Sequence, residues 1–280
     1  MAVAATNAGR VSLLAALVAC CLAPARAADC ADVAGHCIPS RLAAADVLVI
    51  GEVHDNPHHH AFQAAAIGWF AGGKGGRAAV VMEHFRADQA EQLAAFQAKI
   101  DRQAPEFWRD AAARMGDALG WEKSGWPAWA MFAPIAEASL KVGAPIIAGD
   151  PPRAEVKAVA RQGLGVLARE RRQRLGLDAP LPRAHQDELL RELEVSHCNL
   201  LSQSALGTMA DAQRFRDGHL AGAAIEAVGT HGAAIVLAGN GHARTDRGVS
   251  AYLQRMKPGI RVATILLVER GSDGAASELP

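Results

Sequence analysis

The chain has 280 residues, of which 50% are hydrophobic, which is enough for one sizeable core or a domain with a small appendage. Its 29 basic residues balance 29 acidic residues, so no overall positive field favours nucleic acid as a partner. The densest basic run, 169–174, includes Glu170 and has a helical pattern. We interpret it as the solvated face of a helix rather than a binding patch.

The N-terminal residues 1–27 have the features of an export signal. Arg10 precedes an apolar run over 11–22 that is too short to span a membrane, and small residues allow cleavage after Ala27. An alternative stays open, because the sequence ending at Cys20 resembles a lipobox, in which case the leader is 1–19 and Cys20 carries a lipid anchor. Either product is expected in the bacterial periplasm or on the outer membrane as a lipoprotein.

Either cut leaves three cysteines in what we expect to be an oxidising compartment. Cys30 and Cys37 enclose a short loop and could form a disulfide that staples the N-terminal segment 28–45. Cys198 would then be left over, and we predict a buried packing thiol. Its neighbour His197 leaves a metal-binding role open.

Five short apolar runs predict strands that are covered on both faces, because they are continuous rather than alternating. The runs are Val47–Ile50, Ala79–Met82, Pro145–Ala148, Ala233–Ala238 and Val262–Val268.

Helical patterns separate the predicted strands. Asn56 and Pro57 predict a helix start, as the cap and the first helical residue, and this helix is expected to end at Gly72-Gly73. Further helices are expected over 87–100, after 105, from 153 to 175, over 186–204 and over 208–228. The alternation predicts an α/β fold, with a mostly parallel β-sheet flanked by helices over 46–270. The surplus helices predict a smaller all-α lobe, and 271–280 is expected to be a flexible tail.

Polar side chains follow four of the predicted strands. In strand order they are Glu52 with His54, Glu83 with His84, Asp150, and His242 with Arg244. Because ligands bind beyond the carboxyl ends of parallel strands, we expect these side chains to meet at one edge of the sheet. Carboxylates and imidazoles at this edge indicate a site for iron, haem or another metal.

Three consecutive histidines, His58, His59 and His60, lie in the first turn of the first predicted helix. Successive helical residues point about 100° apart, so the three cannot all face one site. His54 precedes them in the loop itself, where we expect it to bind the ligand. Arg244 and Arg247 could clamp a carboxylate such as a haem propionate.

A polar stripe is expected on the helix that follows Thr208. Its members share one face at helical spacing: Met209, Gln213, Arg216, Asp217 and Leu220. We favour structural pairing of Arg216 with an acidic partner over contact with a ligand. The sequence contains neither a Gly-x-Ser-x-Gly elbow nor a His-Glu-x-x-His helix, so acyl-enzyme and zinc-protease chemistry have little support.

Taken in order, these motifs resemble the ChaN-like haem-binding uptake family, within the Tiki/TraB and erythromycin-esterase-like superfamily. The resemblance covers about 48–268. It rests on residues 51–57 with His59 and His60, Glu83, Pro134-Ile135, 152–156, His197-Cys198, Met209 with Gln213 and Arg216-Asp217, and 239–253.

The resemblance implies an envelope protein that binds two cofacial haems between two protomers, with tyrosine as the iron ligand. This chain has a single tyrosine, Tyr252, and Phe132 stands where many relatives are expected to have tyrosine. Phenolate and imidazole both suit ferric iron, so the candidate ligands are Tyr252, His54, His58, His59 and His60. Core packing remains the alternative for Tyr252, and Arg244 is the candidate partner of a propionate.

We therefore expect a homodimeric, non-enzymatic haem-binding protein that takes part in haem or iron acquisition with envelope haem-transport components. The alternative is a hydrolase, with or without a divalent metal, that uses Glu52, His54, Glu83 and His242. A weaker third possibility is a structural lipoprotein with a vestigial site.

Overall fold

A computed structural model describes residues 29–100 and 107–269 of the chain. The expected leader, over 1–27 or 1–19, and the expected tail over 271–280 lie outside these residues. None of the helices in the described ranges is long and apolar enough to cross a membrane.

The described residues form seven strands and nine α-helices. The strands are β1 (Cys30–Val33), β2 (His36–Pro39), β3 (Val47–Glu52), β4 (Ala79–Arg86), β5 (Ile146–Asp150), β6 (Ala234–Gly239) and β7 (Val262–Leu266). The helices are α1 (Pro57–Gly73), α2 (Ala90–Ala98), α3 (Phe107–Ala118), α4 (Trp129–Val142), α5 (Arg153–Gln162), α6 (Arg169–Arg174), α7 (Arg183–Ser196), α8 (Gln203–His231) and α9 (Val249–Met256).

A five-stranded sheet with the order β5-β4-β6-β3-β7 forms the centre of the fold, and every neighbouring pair in it is parallel. The predicted α/β class and all five predicted strands are confirmed. The register places Glu52, the last residue of β3, beside Gly239, the last residue of β6. Their carboxyl ends therefore open onto the same edge.

Alternation along the strands divides the core into two layers. Leu48 and Ile50 face the layer packed by α1, α3 and α4, whereas Val47 and Val49 face the layer packed by α8 and α9. The same alternation continues into the polar ends of the strands. Glu52 is thereby directed toward the first layer.

The first predicted helix boundary is confirmed. Pro57 begins α1, and the Asn56 side chain accepts hydrogen bonds from the backbone N–H groups of His58 and His59.

Two later boundaries differ from the prediction. The expected helix over 153–175 is split at Gly163, whose φ of 77° ends α5 before α6 begins. The expected break between 204 and 208 was wrong: the chain reverses over 197–202, where Cys198 and Asn199 have positive φ, and α8 then runs without a break from Gln203. Periodicity alone did not show where this reversal occurs.

Residues 30–39 form a disulfide-closed hairpin. Strands β1 and β2 pair antiparallel, and the predicted bond between Cys30 and Cys37 is present. The prediction of a buried thiol at Cys198 was wrong, because this residue is exposed in the reversal after α7, away from the core.

Candidate functional site

Glu52 forms the centre of one buried cluster at the carboxyl edge of the sheet. Its Oε1 accepts hydrogen bonds from His54 Nδ1 at 2.8 Å and His84 Nε2 at 2.9 Å, and its Oε2 accepts one from Gln63 Nε2 at 2.6 Å. His60 Nε2 lies 3.5 Å from Oε2. One carboxylate is thus surrounded by three imidazoles and an amide.

Burial by itself raises the pKa of Glu52, but the neighbouring imidazole of His84 and the hydrogen bond from His54 outweigh it. The result is a pKa well below the ordinary value of a glutamate. Burial also lowers the pKa of His54, but its hydrogen bond to Glu52 and the charge of Glu83 leave a net increase. Glu52 is therefore ionised and His54 is stabilised in its protonated form.

Glu83 forms the centre of a second cluster, on the α8 side of the sheet. Its Oε1 accepts from Arg216 Nη2 at 2.8 Å and lies 3.3 Å from His242 Nε2, and its Oε2 accepts from the Gly239 N–H at 2.7 Å. Arg216 Nε also donates to Asp150 at 2.6 Å. The predicted pairing of Arg216 with acidic partners is confirmed, and Asp150 is one of those partners.

His242 links this cluster to α8. Its Nδ1 lies 2.7 Å from Asp217 Oδ1 and 2.9 Å from Gln213 Nε2, while its Nε2 faces Glu83. Burial lowers the pKa of His242, but the charges of Glu83 and Asp217 outweigh burial and raise it to about 9. Burial raises the pKa of Asp217 despite the imidazole. The Asp217–His242–Glu83 chain can therefore hold and move a proton.

His54 is positioned where the two clusters meet. A Cβ atom at Gly239 would lie 2.7 Å from His54 Nε2 and 3.7 Å from Glu83 Oε2, so the missing side chain makes room for the imidazole. The side chain of His54 is 34% exposed, and the Trp126 ring covers it with ring centroids 4.7 Å apart. This imidazole therefore connects the buried clusters to solvent.

The four residues proposed for hydrolysis, Glu52, His54, Glu83 and His242, are all brought to this edge, and His84 joins them. Ligand atoms of Glu52, His54 and His84 lie within 4.8 Å of one another, close enough to hold a metal ion. Sequence reasoning missed Gln63 and Trp126. Gln63 lies one turn after His59 and His60 on α1, and that spacing was the available signal; no pattern indicated Trp126.

The three consecutive histidines have separate environments, as their helical spacing requires. His58 is exposed, whereas His59 is buried and its Nδ1 accepts the Val53 N–H at 3.0 Å. His60 is fully buried, and its ring lies 4.2 Å from that of Phe132. Neither ring nitrogen of His60 makes a hydrogen bond within the described residues.

Two further predicted cofactor-binding residues, Tyr252 and Arg244, also lie outside the Glu52 cluster. Tyr252 is fully buried in the α8–α9 layer, and its hydroxyl accepts from Arg214 Nε at 3.2 Å. Burial raises the pKa of this phenol. Arg244 and the buried Arg247 both bond Glu188 on α7, so this pair ties α7 to the loop that carries His242.

An open groove lies beside the amino end of α1, with a volume of about 970 Å³. The hairpin, α1 and the end of β7 form its walls, which are lined by His36, Ile38, Asn56, His58, Phe62, Ile265, Leu267 and Glu269, among others. At the border of the groove, Asn56 Nδ2 donates a hydrogen bond to Glu269 at 2.9 Å. The groove is within the range of about 300–1,000 Å³ that is usual for small-molecule and cofactor sites.

The fold of this chain was compared with those of solved structures. ChaN of Campylobacter jejuni, whose structure is described as showing cofacial haem binding, is 19% identical with a TM-score of 0.62, over 85% of this chain and 87% of that chain. The type III effector HopBA1 is 13% identical with a TM-score of 0.38, over 80% and 77% of the two chains. A Bacillus cereus protein is 15% identical with a TM-score of 0.36, over 85% and 71%. Only the first likeness is close enough to show a shared fold.

No curated protein matches the sequence. The family described as haem-binding uptake, Tiki superfamily, ChaN, matches residues 38–253, which is most of the chain and includes both clusters and the groove wall from Ile38 to Phe62. The chain therefore belongs to the ChaN haem-binding uptake family of the Tiki superfamily.

Proposed function

We propose that this protein binds haem. The observation that carries the proposal is the groove beside α1, which combines a suitable volume, apolar walls and imidazole side chains in a member of a family described as haem-binding. Haem needs an apolar surface for its ring and a nitrogen, sulfur or phenolate ligand for its iron. The residues that line the groove meet both needs.

We extend the proposal to the biological role. The export features of residues 1–27 support a place in the bacterial envelope, where a haem-binding protein would serve haem or iron acquisition with envelope haem-transport components. A homodimer is proposed because the Campylobacter jejuni relative is described as binding haem cofacially. Lipid attachment at Cys20 would be its connection to the membrane.

Titration of purified apoprotein with ferric haem tests the proposal directly. We expect a saturable complex with a shifted Soret band, and size-exclusion chromatography with light scattering gives its oligomeric state. Failure to form a saturable complex, as monomer or dimer, would rule out the haem-binding function.

A hydrolase is the second candidate, favoured by the Asp217–His242–Glu83 chain. This chain lies next to a smaller pocket of about 260 Å³, lined by Glu83, Arg86, Ser124, Trp126, Asp150, Arg153, Val156 and Arg216. His242 is held between two carboxylates, and one of them, Glu83, lines this pocket, so the pair could act on a substrate there by general acid–base catalysis. The arginines in the lining would favour a substrate that carries a carboxylate or phosphate group.

A divalent metal fits the Glu52 cluster as part of this second candidate. Glu52, His54 and His84 supply one carboxylate and two imidazoles, and His84 Nδ1 has no hydrogen-bond partner within the described residues. A bound metal would supply Lewis-acid activation of water or substrate. The test is metal analysis of the purified protein together with ester and amide hydrolysis assays. Hydrolysis that His242→Gln abolishes supports an enzyme, and activity that survives this change rejects the role of His242.

A further inference from the structure

We propose that the haem iron is ligated in the groove by an imidazole of the His36 and His58 pair. This inference rests on the proposed haem-binding function and gives it a site. Of the ligands expected from the sequence it keeps His58, adds His36, and leaves out Tyr252, His54, His59 and His60.

His54, His60 and Tyr252 do not line the groove, and His59, which does, has its lone pair engaged. His59 Nδ1 accepts the Val53 N–H, so in the neutral ring Nε2 carries the proton and neither nitrogen can ligate iron. His54 is held outside the groove by its Nδ1 bond to Glu52 and by the Trp126 ring that covers it, and His60 is fully buried against Phe132. Tyr252 is fully buried beneath α9, beside Arg214. His60 and Tyr252 are fully buried, so haem in the groove could reach them only if the core opened.

His36 and His58 are both exposed and both line the groove. Among the hydrogen bonds of the described residues, none uses a ring nitrogen of either one. Their nitrogens are therefore available to iron without breaking a hydrogen bond of the described residues.

The surroundings of the two imidazoles suit a flat apolar ligand. Phe62 lies one helical turn after His58, on the same face of α1, and the His36 ring packs edge-on against Phe62 with centroids 5.7 Å apart. Two imidazoles thus flank one aromatic surface. Ile38, Ile265 and Leu267 supply further apolar area to the groove.

The polypeptide positions both imidazoles. The disulfide at Cys37 fixes the hairpin strand next to His36, and the Asn56 side chain accepts the His58 backbone N–H at 2.9 Å. The amino end of α1 also provides a positive electrostatic environment that favours a carboxylate, such as a propionate, nearby.

The experiment follows haem titrations by absorbance and electron paramagnetic resonance for the wild type, His36→Ala, His58→Ala and the double variant. We expect nitrogen ligation in the wild type. We expect the double variant to lose it with at least a roughly tenfold fall in affinity, since even indirect partners of a metal alter affinity by about 10- to 100-fold. The single variants identify which imidazole ligates. Unfolding curves should match, because both side chains are exposed.

Two further variants control for nonspecific binding. His231→Ala removes a half-buried imidazole at the carboxyl end of α8, before β6, and should leave haem binding unchanged. Leu267→Gln places an amide in the groove wall and should weaken affinity while nitrogen ligation is kept. A Leu267→Gln variant that folds and binds haem like the wild type would mean that haem does not occupy the groove.

The outcomes separate the two proposals. A wild type that binds no haem rejects the haem-binding function, and this inference with it. A wild type that binds haem, but whose spectrum is retained in the double variant, overturns the inference and leaves the function standing. Loss of the spectrum in Tyr252→Phe or His54→Ala alone, with no change in the double variant, would assign the ligand elsewhere.

Discussion

The carboxyl edge of the sheet, called the rim below, and the groove beside α1 both contain imidazoles. The surrounding structure holds them differently. On the rim, His54, His84 and His242 are bonded to buried carboxylates. In the groove, His36 and His58 are exposed next to apolar walls. A buried imidazole that is bonded to a carboxylate is coupled to folding, whereas an exposed imidazole can contact a ligand without breaking a hydrogen bond. The comparison predicts that rim substitutions change stability and groove substitutions change binding.

The largest expected effect is that of Glu83→Ala. The substitution removes one of the two carboxylate partners of Arg216 and of His242, and it leaves the Gly239 N–H without an acceptor in a buried site. Removing one member of a buried charge network costs about 3–5 kcal/mol of unfolding free energy, measured by urea denaturation.

Two controls sharpen this result. Asp187→Ala removes an exposed pair with Arg183, 3.7 Å apart on α7, and should cost less than about 1 kcal/mol. His58→Ala in the groove should cost no more than about 0.5 kcal/mol. Equal losses in Glu83→Ala and Asp187→Ala would contradict the buried network as a source of stability.

A pH-dependent effect is expected next, from His242. Its pKa is raised from 6.5 to about 9 in the folded protein, so the folded state binds the proton more tightly than the unfolded chain. The resulting contribution to the free energy of unfolding is fully present below about pH 6.5 and is lost as the pH rises through about 9. It amounts to a total on the order of 3 kcal/mol.

Unfolding free energies measured from about pH 6 to about pH 10 check this prediction. His242→Gln should remove most of the slope, and His58→Ala should keep it. A wild-type stability that stays constant or increases across this interval would show that His242 is not held as imidazolium.

The sheet and its polar edge were accessible from sequence because each depends on local pattern. Continuous apolar runs predicted the strands, and the residues after them predicted Glu52, Glu83 and His242 at one edge. Strand alternation also places Glu52 and Glu83 on opposite faces of the sheet.

The features that the sequence did not predict depend mainly on packing between distant segments. His36 becomes part of a groove only because the hairpin packs on Phe62, and Trp126 covers His54 from a loop that precedes α4. The choice between a ligand role and a core role for Tyr252 could not be made from its neighbours in the sequence, since only the tertiary fold shows its burial beside Arg214. The reversal at Cys198 depends on positive φ angles at Cys198 and Asn199, and neither residue is a glycine that would have indicated them in the sequence.

The hairpin disulfide should have an intermediate effect on stability and a clear effect on the groove. Replacing Cys30 and Cys37 with Ser removes a constraint on a short loop and is expected to cost about 2 kcal/mol. Because the hairpin forms one wall of the groove, haem affinity should fall as well. Haem titration and urea denaturation of the double variant measure both effects, and unchanged affinity would show that the hairpin does not shape the site.

The smallest expected effect comes from two glycine-to-alanine substitutions, one at the rim and one at an open position on a helix. Gly239→Ala places a Cβ 2.7 Å from His54 Nε2 and forces the half-exposed imidazole to shift, at a cost of about 1 kcal/mol. Gly229→Ala on α8 meets no atom within 4 Å and should instead stabilise the protein by up to about 1 kcal/mol, because alanine favours the helix. Opposite signs in urea denaturation, with an altered His54 imidazole signal by NMR only in Gly239→Ala, are the expected result. A stabilising Gly239→Ala would mean that His54 occupies another position, and the connection between the Glu52 and Glu83 clusters would then be lost.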